Sequence, residues 1–200
     1  MPLTLINHEI GITQPDIDCA AVAMLSETAQ EHVSNLLTKM CERLGDIIWP
    51  MPANALHITL CEIIQPKPYV EDKAELMKNL PHYEVVLEKI LKISPIDIVF
   101  NTIEVSSHAI IIRGEDDGTF NRVRDQLAPA LPLPAETKVP PDIVHSSIAR
   151  YKKEADVDKV RATIADLTIG FTETVHEFQL IKESAPHLVN YSVAHRYPLA

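Results

Sequence analysis

Apolar residues along the chain fall into runs whose order repeats. Cys19 to Leu25 is continuously apolar, as a buried strand requires. Behind it Val33, Leu36, Leu37, Met40 and Leu44 recur at helical spacing until Gly45 stops the pattern. Ser26 or Thr28 can cap this helix, and Thr28 with Glu31 makes a capping box. Pro50-Met51-Pro52 then stiffens the approach to a second apolar run, Leu56 to Ile64. A similar order returns: strand-like Ile96 to Val105, then His108 to Arg113, and a turn at Gly114 to Gly118. Next come a helix capped by Thr119 with Phe120, Val123 and Leu127 as its stripe, a proline-rich stretch from Pro129 to Pro141, and Ile143 to Ile148. Cys19 precedes His57 by 38 positions and Ala109 precedes His145 by 36, so strand, capped helix, stiff approach and strand recur at nearly one period.

That recurrence predicts two pseudo-equivalent lobes within one domain of residues 1–200. Residues 1–18 form an N-terminal arm, 19–65 the first half, 66–94 a helical connector, 95–151 the second half, and 152–200 a helix with a closing hairpin. In the connector, periodicity over Val70 to Ile93 is interrupted at Pro81, which predicts two short helices. Asp156 to Leu167 reads as a helix. The hairpin is predicted from alternation at Val175, Phe178, Leu180, Tyr191, Val193 and Tyr197 around a turn at Ser184 to His187.

Composition narrows the function. A 200-residue chain with 46% hydrophobic residues buries a sizeable core. Met1 to Asp18 has neither the basic start nor the apolar run of a leader, and no window is long enough to span a bilayer, so a cytoplasmic protein without membrane contact is expected. Cys19, Cys41 and Cys61 are odd in number, lack metal-site spacing and lie in strand or helix interiors, as small buried apolar residues do. A net charge of −10 argues against tracking long nucleic acid, which needs clustered cations; the densest basic group is Arg150, Lys152 and Lys153.

The candidate chemistry lies in the two late strands of the repeat, which carry His57-Ile58-Thr59-Leu60 and His145-Ser146-Ser147-Ile148. Residues i and i+2 of a strand share a face, so each strand offers one imidazole beside one hydroxyl. Phosphodiester cleavage needs a base on one side of phosphorus and an acid on the other, and a ring with an ordinary pKa of about 6.5 serves as either near neutrality. The neutral ring activates water, the protonated ring supplies the departing ribose oxygen with a proton, and the hydroxyls hold nonbridging oxygens. His32-Val33-Ser34 also matches but lies in a predicted helix, where i and i+2 diverge. His108, His176, His187 and His195 lack a hydroxyl at i+2 and are expected to be structural or surface residues.

In these paired tetrads, in Arg150 after the second, and in the closing hairpin, the chain resembles the 2H phosphoesterase superfamily over about residues 19 to 198. The resemblance implies an α+β, bilobed fold whose two lobes each hold an antiparallel sheet and helices around an active-site cleft. It implies reaction without metal or cofactor on cyclic phosphates or 2′,5′ linkages of nucleotides and RNA ends. His57 and His145 would be acid and base, with Thr59 and Ser147 as phosphate-orienting hydroxyls. The continuation Cys61-Glu62-Ile63-Ile64-Gln65-Pro66 departs from the Phe-Leu-Gly-like segment of many relatives. Strict alternation turns Arg150 away from His145 and Tyr151 toward it, whereas a bend at the strand end reverses this; both, with Tyr191, are candidate substrate contacts. The leading expectation is a monomer hydrolysing 2′,3′-cyclic phosphates of small nucleotides or RNA 3′ ends. The alternatives are 2′,5′-bond cleavage or ligation, and a nucleotide-binding module without turnover.

Overall fold

A computed structural model of the protein describes residues 18–64, 78–131 and 143–200. The continuously apolar run is strand β1 (Asp18–Met24), and the periodic segment behind it is helix α1 (Glu27–Leu44), whose Val33, Leu36, Leu37, Met40 and Leu44 are all buried. Its cap is Ser26 rather than Thr28: the Ser26 hydroxyl accepts from Ala29 N. That hydroxyl also donates to the buried Glu173 carboxylate at 2.6 Å, and Ser26 N donates to the same carboxylate at 2.9 Å. A carboxylate at the positive end of a helix dipole is favourably placed, so Glu173 both caps α1 and anchors it. Gly45 closes the helix at φ 56°, a left-handed conformation that favours glycine.

Strands β2 (Ile48–Pro50) and β3 (His57–Ile64) follow, and after the undescribed residues 65–77 comes helix α2 (Leu80–Ile90). Pro81 follows a break in helix, as expected: Lys78 is helical and Asn79 is a turn before α2 begins. It sits in the first turn of α2, where a missing N–H costs no intrahelical bond; the expected helix before it lies largely outside the described residues. Strands β4 (Ile96–Val105) and β5 (Ile110–Glu115) lead to helix α3 (Thr119–Ala130). Its cap position is Gly118, and Thr119 is its first residue. Asp116 and Asp117 take the freed amides of Phe120 and Thr119 at 2.8 and 3.0 Å, so these acids are capping groups as well as turn residues. Most of the proline-rich stretch, residues 132–142, is outside the described residues.

Strand β6 (Val144–Tyr151), helix α4 (Val157–Thr163) and strands β7 (Phe171–Val175), β8 (Glu177–Ala185) and β9 (Asn190–Pro198) complete the chain. Helix α4 is shorter than the expected 156–167, ending at Thr163. The closing hairpin is β8–β9, but Val175 is not in it: Val175 lies on β7, which pairs with β4.

Two antiparallel sheets result, ordered β3-β1-β8-β9 and β2-β6-β5-β4-β7. The helices cross over between them. α1, which follows a strand of the first sheet, packs on β2, β6 and β7 of the second; α3, which follows a strand of the second, packs on β3 of the first. Aromatic contacts mark the crossings: Phe120 of α3 meets Phe178 of β8 edge-on at 5.6 Å, while His32 of α1 stacks on Phe171, which stacks on Phe100. The motif-like His32 is therefore a packing residue.

Gly114 of β5 lies opposite Phe100, where a methyl would run into the Ile98 side chain and approach the Phe100 ring to 3.0 Å. Phe100 is fully buried and pinned against Phe171, so neither neighbour can retreat. Gly114→Ala is expected to destabilise the protein by about 1–3 kcal/mol, the usual cost of overpacking. A lowered urea midpoint measures it, and an unchanged midpoint contradicts the packing described.

Candidate active site

The two tetrads share a departure from regular strand geometry. β3 pairs with β1 through Ala21↔Cys61 and Val22↔Thr59, passing over Leu60. β6 pairs with β5 through Ile110↔Ala149 and Ile111↔Ser147, passing over Ile148. The fourth residue of each tetrad is thus a β-bulge, the extra residue that leaves the ladder and bends the strand. In both strands burial alternates up to the bulge and then changes phase: Leu60 and Cys61 are both buried, as are Ile148 and Ala149. The carbonyls of both bulge residues are satisfied, Ile148 O by Met51 N at 2.9 Å in continuation of the β2–β6 pairing and Leu60 O by Arg124 Nε at 3.2 Å.

The change of phase decides between Arg150 and Tyr151. Tyr151 is fully buried, its hydroxyl donating to Ser106 O at 2.7 Å, so it is a core residue turned away from His145. Burial raises its phenol pKa to about 12. Arg150 takes the other face and reaches back along it, Nη2 donating to Ser147 Oγ at 3.4 Å. Because Ser147 Oγ accepts there, its own proton remains available for an anion.

β3 and β6 touch where the two sheets meet, bringing the tetrads together. His57, Thr59, His145 and Ser147 are each half-buried, whereas the intervening Ile58, Leu60, Ser146 and Ile148 are buried. Ser146 therefore belongs to the interior despite its hydroxyl, which has no partner among the described residues. Nδ1 of His57 lies 2.7 Å from Ala55 O. A carbonyl only accepts, so Nδ1 carries the proton and Nε2 of the neutral ring is the basic nitrogen. Ile143 O stands in the corresponding place beside His145, near enough to favour the protonated ring, although Nδ1 meets no partner of full hydrogen-bond geometry among the described residues.

Both imidazoles are biased toward the neutral form. Removal from water lowers the His57 pKa to about 4 despite the opposing Ala55 carbonyl, and the charges of Arg150, His145 and His187 push the same way. The His145 pKa is also lowered, first by burial and then by Arg124 and Arg150, against Ile143 O and Glu104. The rings are close enough that a proton on His145 disfavours one on His57. A site that resists a second proton while accepting a first is suited to holding one acid and one base.

Three further residues border the site. Tyr191 of β9 directs its hydroxyl to Asn54 O at 3.3 Å, in the turn leading into β3, so it braces the approach to His57. His187, which its sequence context assigns to a structural or surface role, places its charge where it acts on His57. It occupies the β8–β9 turn at φ 64° beside Leu188 at φ 55°, two consecutive left-handed conformations without glycine. The buried Glu183 carboxylate holds that turn by accepting from Leu188 N. Replacing His187 by Ala is expected to raise the His57 titration midpoint, as loss of a neighbouring like charge requires, with ring NMR as the measurement. The third is the buried Arg124, whose charge opposes protonation of His145.

Two surface hollows lie elsewhere, one lined by Ser94, Asp97, Asp117 and Arg122 and the other by Glu27, Glu31 and Ser34. Neither contains a histidine, and Arg122 is engaged by Asp117 at 3.2 Å, so chemistry rather than concavity singles out the paired tetrads. Among the described residues no three or more His, Cys, Asp or Glu side chains are grouped to hold a metal ion, and no helix is long and apolar enough to cross a membrane.

Two antiparallel sheets meeting at twin His-x-hydroxyl strands define the 2H phosphoesterase class. The sequence model of the 2′-5′ RNA ligase superfamily matches residues 26–186, and the chain belongs to that family. Solved structures agree in fold. TT0787 of Thermus thermophilus aligns with a TM-score of 0.61 at 18% identity, over 90% of this chain and 97% of its own. Apo LigT of E. coli aligns at 0.62 and 15% identity, over 94% and 99%. LigT complexed with phosphate gives 0.64 at 12% identity over the same shares. No curated protein matches the chain in sequence.

Proposed function

We propose that the protein is a metal-independent cyclic phosphodiesterase that opens 2′,3′-cyclic phosphates on nucleotides or short RNA ends, the whole chain acting as one two-lobed monomeric unit in the cytoplasm. The observation that carries this reading is the matched pair of bulged strands. Each carries an imidazole and a hydroxyl on its half-buried face, the two strands touch, and a proton on His145 disfavours one on His57, which supports a shared site. In this reaction the neutral ring takes a proton from water, which attacks phosphorus, while the protonated ring delivers its proton to the ribose oxygen as the P–O bond breaks. Thr59, Ser147 and Arg150 hold the nonbridging oxygens, where negative charge is concentrated. LigT has been crystallised with phosphate, 3′-AMP, ATP and NADP+, which supports a phosphate-sized anion site with room for a nucleoside.

The acidic chain favours small or terminal substrates over long nucleic acid. Cleavage or joining of 2′,5′ bonds uses the same constellation, and the family's name favours it as a second reading. The deciding experiment incubates the protein with 2′,3′-cyclic mononucleotides, with 2′,5′-linked oligoadenylate, and with RNA ends carrying cyclic phosphate and 5′-hydroxyl. Ring opening that persists in EDTA is expected. Turnover of the 2′,5′ bond alone would replace the first reading by the second, and binding without product would make the protein a nucleotide-binding module.

The pH profile follows from the two depressed midpoints. With both rings mostly neutral at pH 7, kcat/KM should rise as pH falls, pass through a maximum, and drop again as His57 protonates near pH 4. A maximum above pH 8 is incompatible with this pair as acid and base.

A further inference from the structure

Arg124 is the one buried basic side chain among the described residues, and it comes from the helix that crosses between sheets. Its guanidinium touches both halves of the site. Nη2 donates to Thr59 O at 2.8 Å and Nε to Leu60 O at 3.2 Å, two consecutive carbonyls of the first tetrad. Nη1 donates to Ile143 O at 3.1 Å, two residues before His145, and to Asn121 Oδ1 on its own helix at 3.1 Å. The Phe120 ring lies 5.3 Å below its central carbon. Planar and rigid, the guanidinium fixes these carbonyls relative to one another in a way a flexible ammonium does not.

We propose that Arg124 is a positioning residue for the two-histidine reaction: by clasping the bulge of the first motif strand and the start of the second, it sets the separation and facing of His57 and His145. β3 is an edge strand, so its Leu60 carbonyl lacks a partner strand on the outer side, and the bulge removes it from the β1 ladder. The side chain that captures this carbonyl also holds Ile143 O, the same oxygen that lies beside the His145 ring. Any change in the clasp therefore moves Thr59 and His145 relative to each other, and errors of about 1 Å in such placement cost on the order of 100-fold in rate. The charge of Arg124 adds a second effect, because it opposes protonation of His145 together with Arg150 and against Glu104, which is itself paired with Arg113 at 3.1 Å.

The inference rests on the phosphodiesterase reading, so its test includes a readout independent of turnover. Arg124→Lys keeps the charge and removes the fork; Arg124→Met removes both. Each is assayed on a 2′,3′-cyclic mononucleotide, and the rings of His57 and His145 are titrated by NMR in the absence of substrate. Expected are a kcat at least about tenfold lower in both variants with KM changed less than about threefold. The His145 midpoint should rise in Arg124→Met and stay near its original value in Arg124→Lys. Wild-type kcat and KM in Arg124→Lys would overturn the positioning role, as would a loss appearing wholly in KM. If Arg124→Met does not fold, Arg124→Lys alone decides. If the unaltered protein turns over none of the substrates, the phosphodiesterase reading fails by itself, and the proposal still falls should the His57 and His145 ring signals be unmoved by either variant.

Discussion

Replacing His57 or His145 by alanine should abolish ring opening, with kcat falling roughly 10²- to 10⁴-fold for each, the usual worth of a positioned acid or base. The double variant should be little worse than either single one, because the two rings act on one proton-transfer sequence and lose their joint effect when either is missing. The fold should survive. Both residues are half-buried at the meeting of the sheets, not in the core, and the hydrogen bond lost at Ala55 O is worth about 1 kcal/mol. Circular dichroism and a melting curve separate lost chemistry from lost structure. Full activity in either folded single variant would dispose of the two-histidine mechanism. Ser147→Ala and Thr59→Val should lower kcat by on the order of 10²-fold, as loss of one donor to developing charge does, with the larger effect at Ser147 because Arg150 also leans on its hydroxyl.

The paired tetrads are legible in the sequence because a strand puts i and i+2 on one face wherever the strand lies. The helix stripes and β1, β3, β4 and β6 are legible for the same local reason. Sequence periodicity tells which face of a helix is buried, however, and not what covers it, so the crossing of α1 and α3 to opposite sheets leaves no trace. The bulges leave a faint one: the apolar doublets Leu60-Cys61 and Ile148-Ala149 interrupt alternation at equivalent places. Read as bulges, they turn Arg150 toward His145 and bury Tyr151. Arg124 is hidden by its type, yet it sits among Phe120, Val123 and Leu127 on the buried face of α3, and a charge on an apolar stripe is a signal that something polar awaits it. His187 has no local signal, since its approach to the site depends on how the β8–β9 turn is held by Glu183.

Acid should destabilise this protein in a window set by its active-site rings. In the unfolded chain His57 has its ordinary pKa near 6.5, whereas in the folded protein the value is about 4. Between these values the unfolded state binds more protons, so stability falls as pH drops from about 6.5 to about 4 and changes no further from this group below that. A difference of this size corresponds to about 3 kcal/mol as a ceiling. Because His57 keeps part of its surface open to solvent, a loss on the order of 1–3 kcal/mol is the reasonable expectation. His145 acts in the same direction. The exposed carboxylates Asp46, Asp117 and Asp166, held below the ordinary carboxylate range chiefly by hydrogen bonds to Lys153, Thr119 and Arg43, act only under about pH 4, so the windows are separable. Urea unfolding at about pH 7.5 and 4.5, either side of most of this window, measures the loss, and His57→Gln, which cannot titrate, should lose less between the two. Inorganic phosphate should oppose the acid effect, since an anion between the two strands favours the protonated rings and binds only the folded state. Equal losses in His57→Gln and the unaltered protein would mean that His57 is not desolvated in the folded state, and the acidic maximum expected for kcat/KM would lose its basis as well.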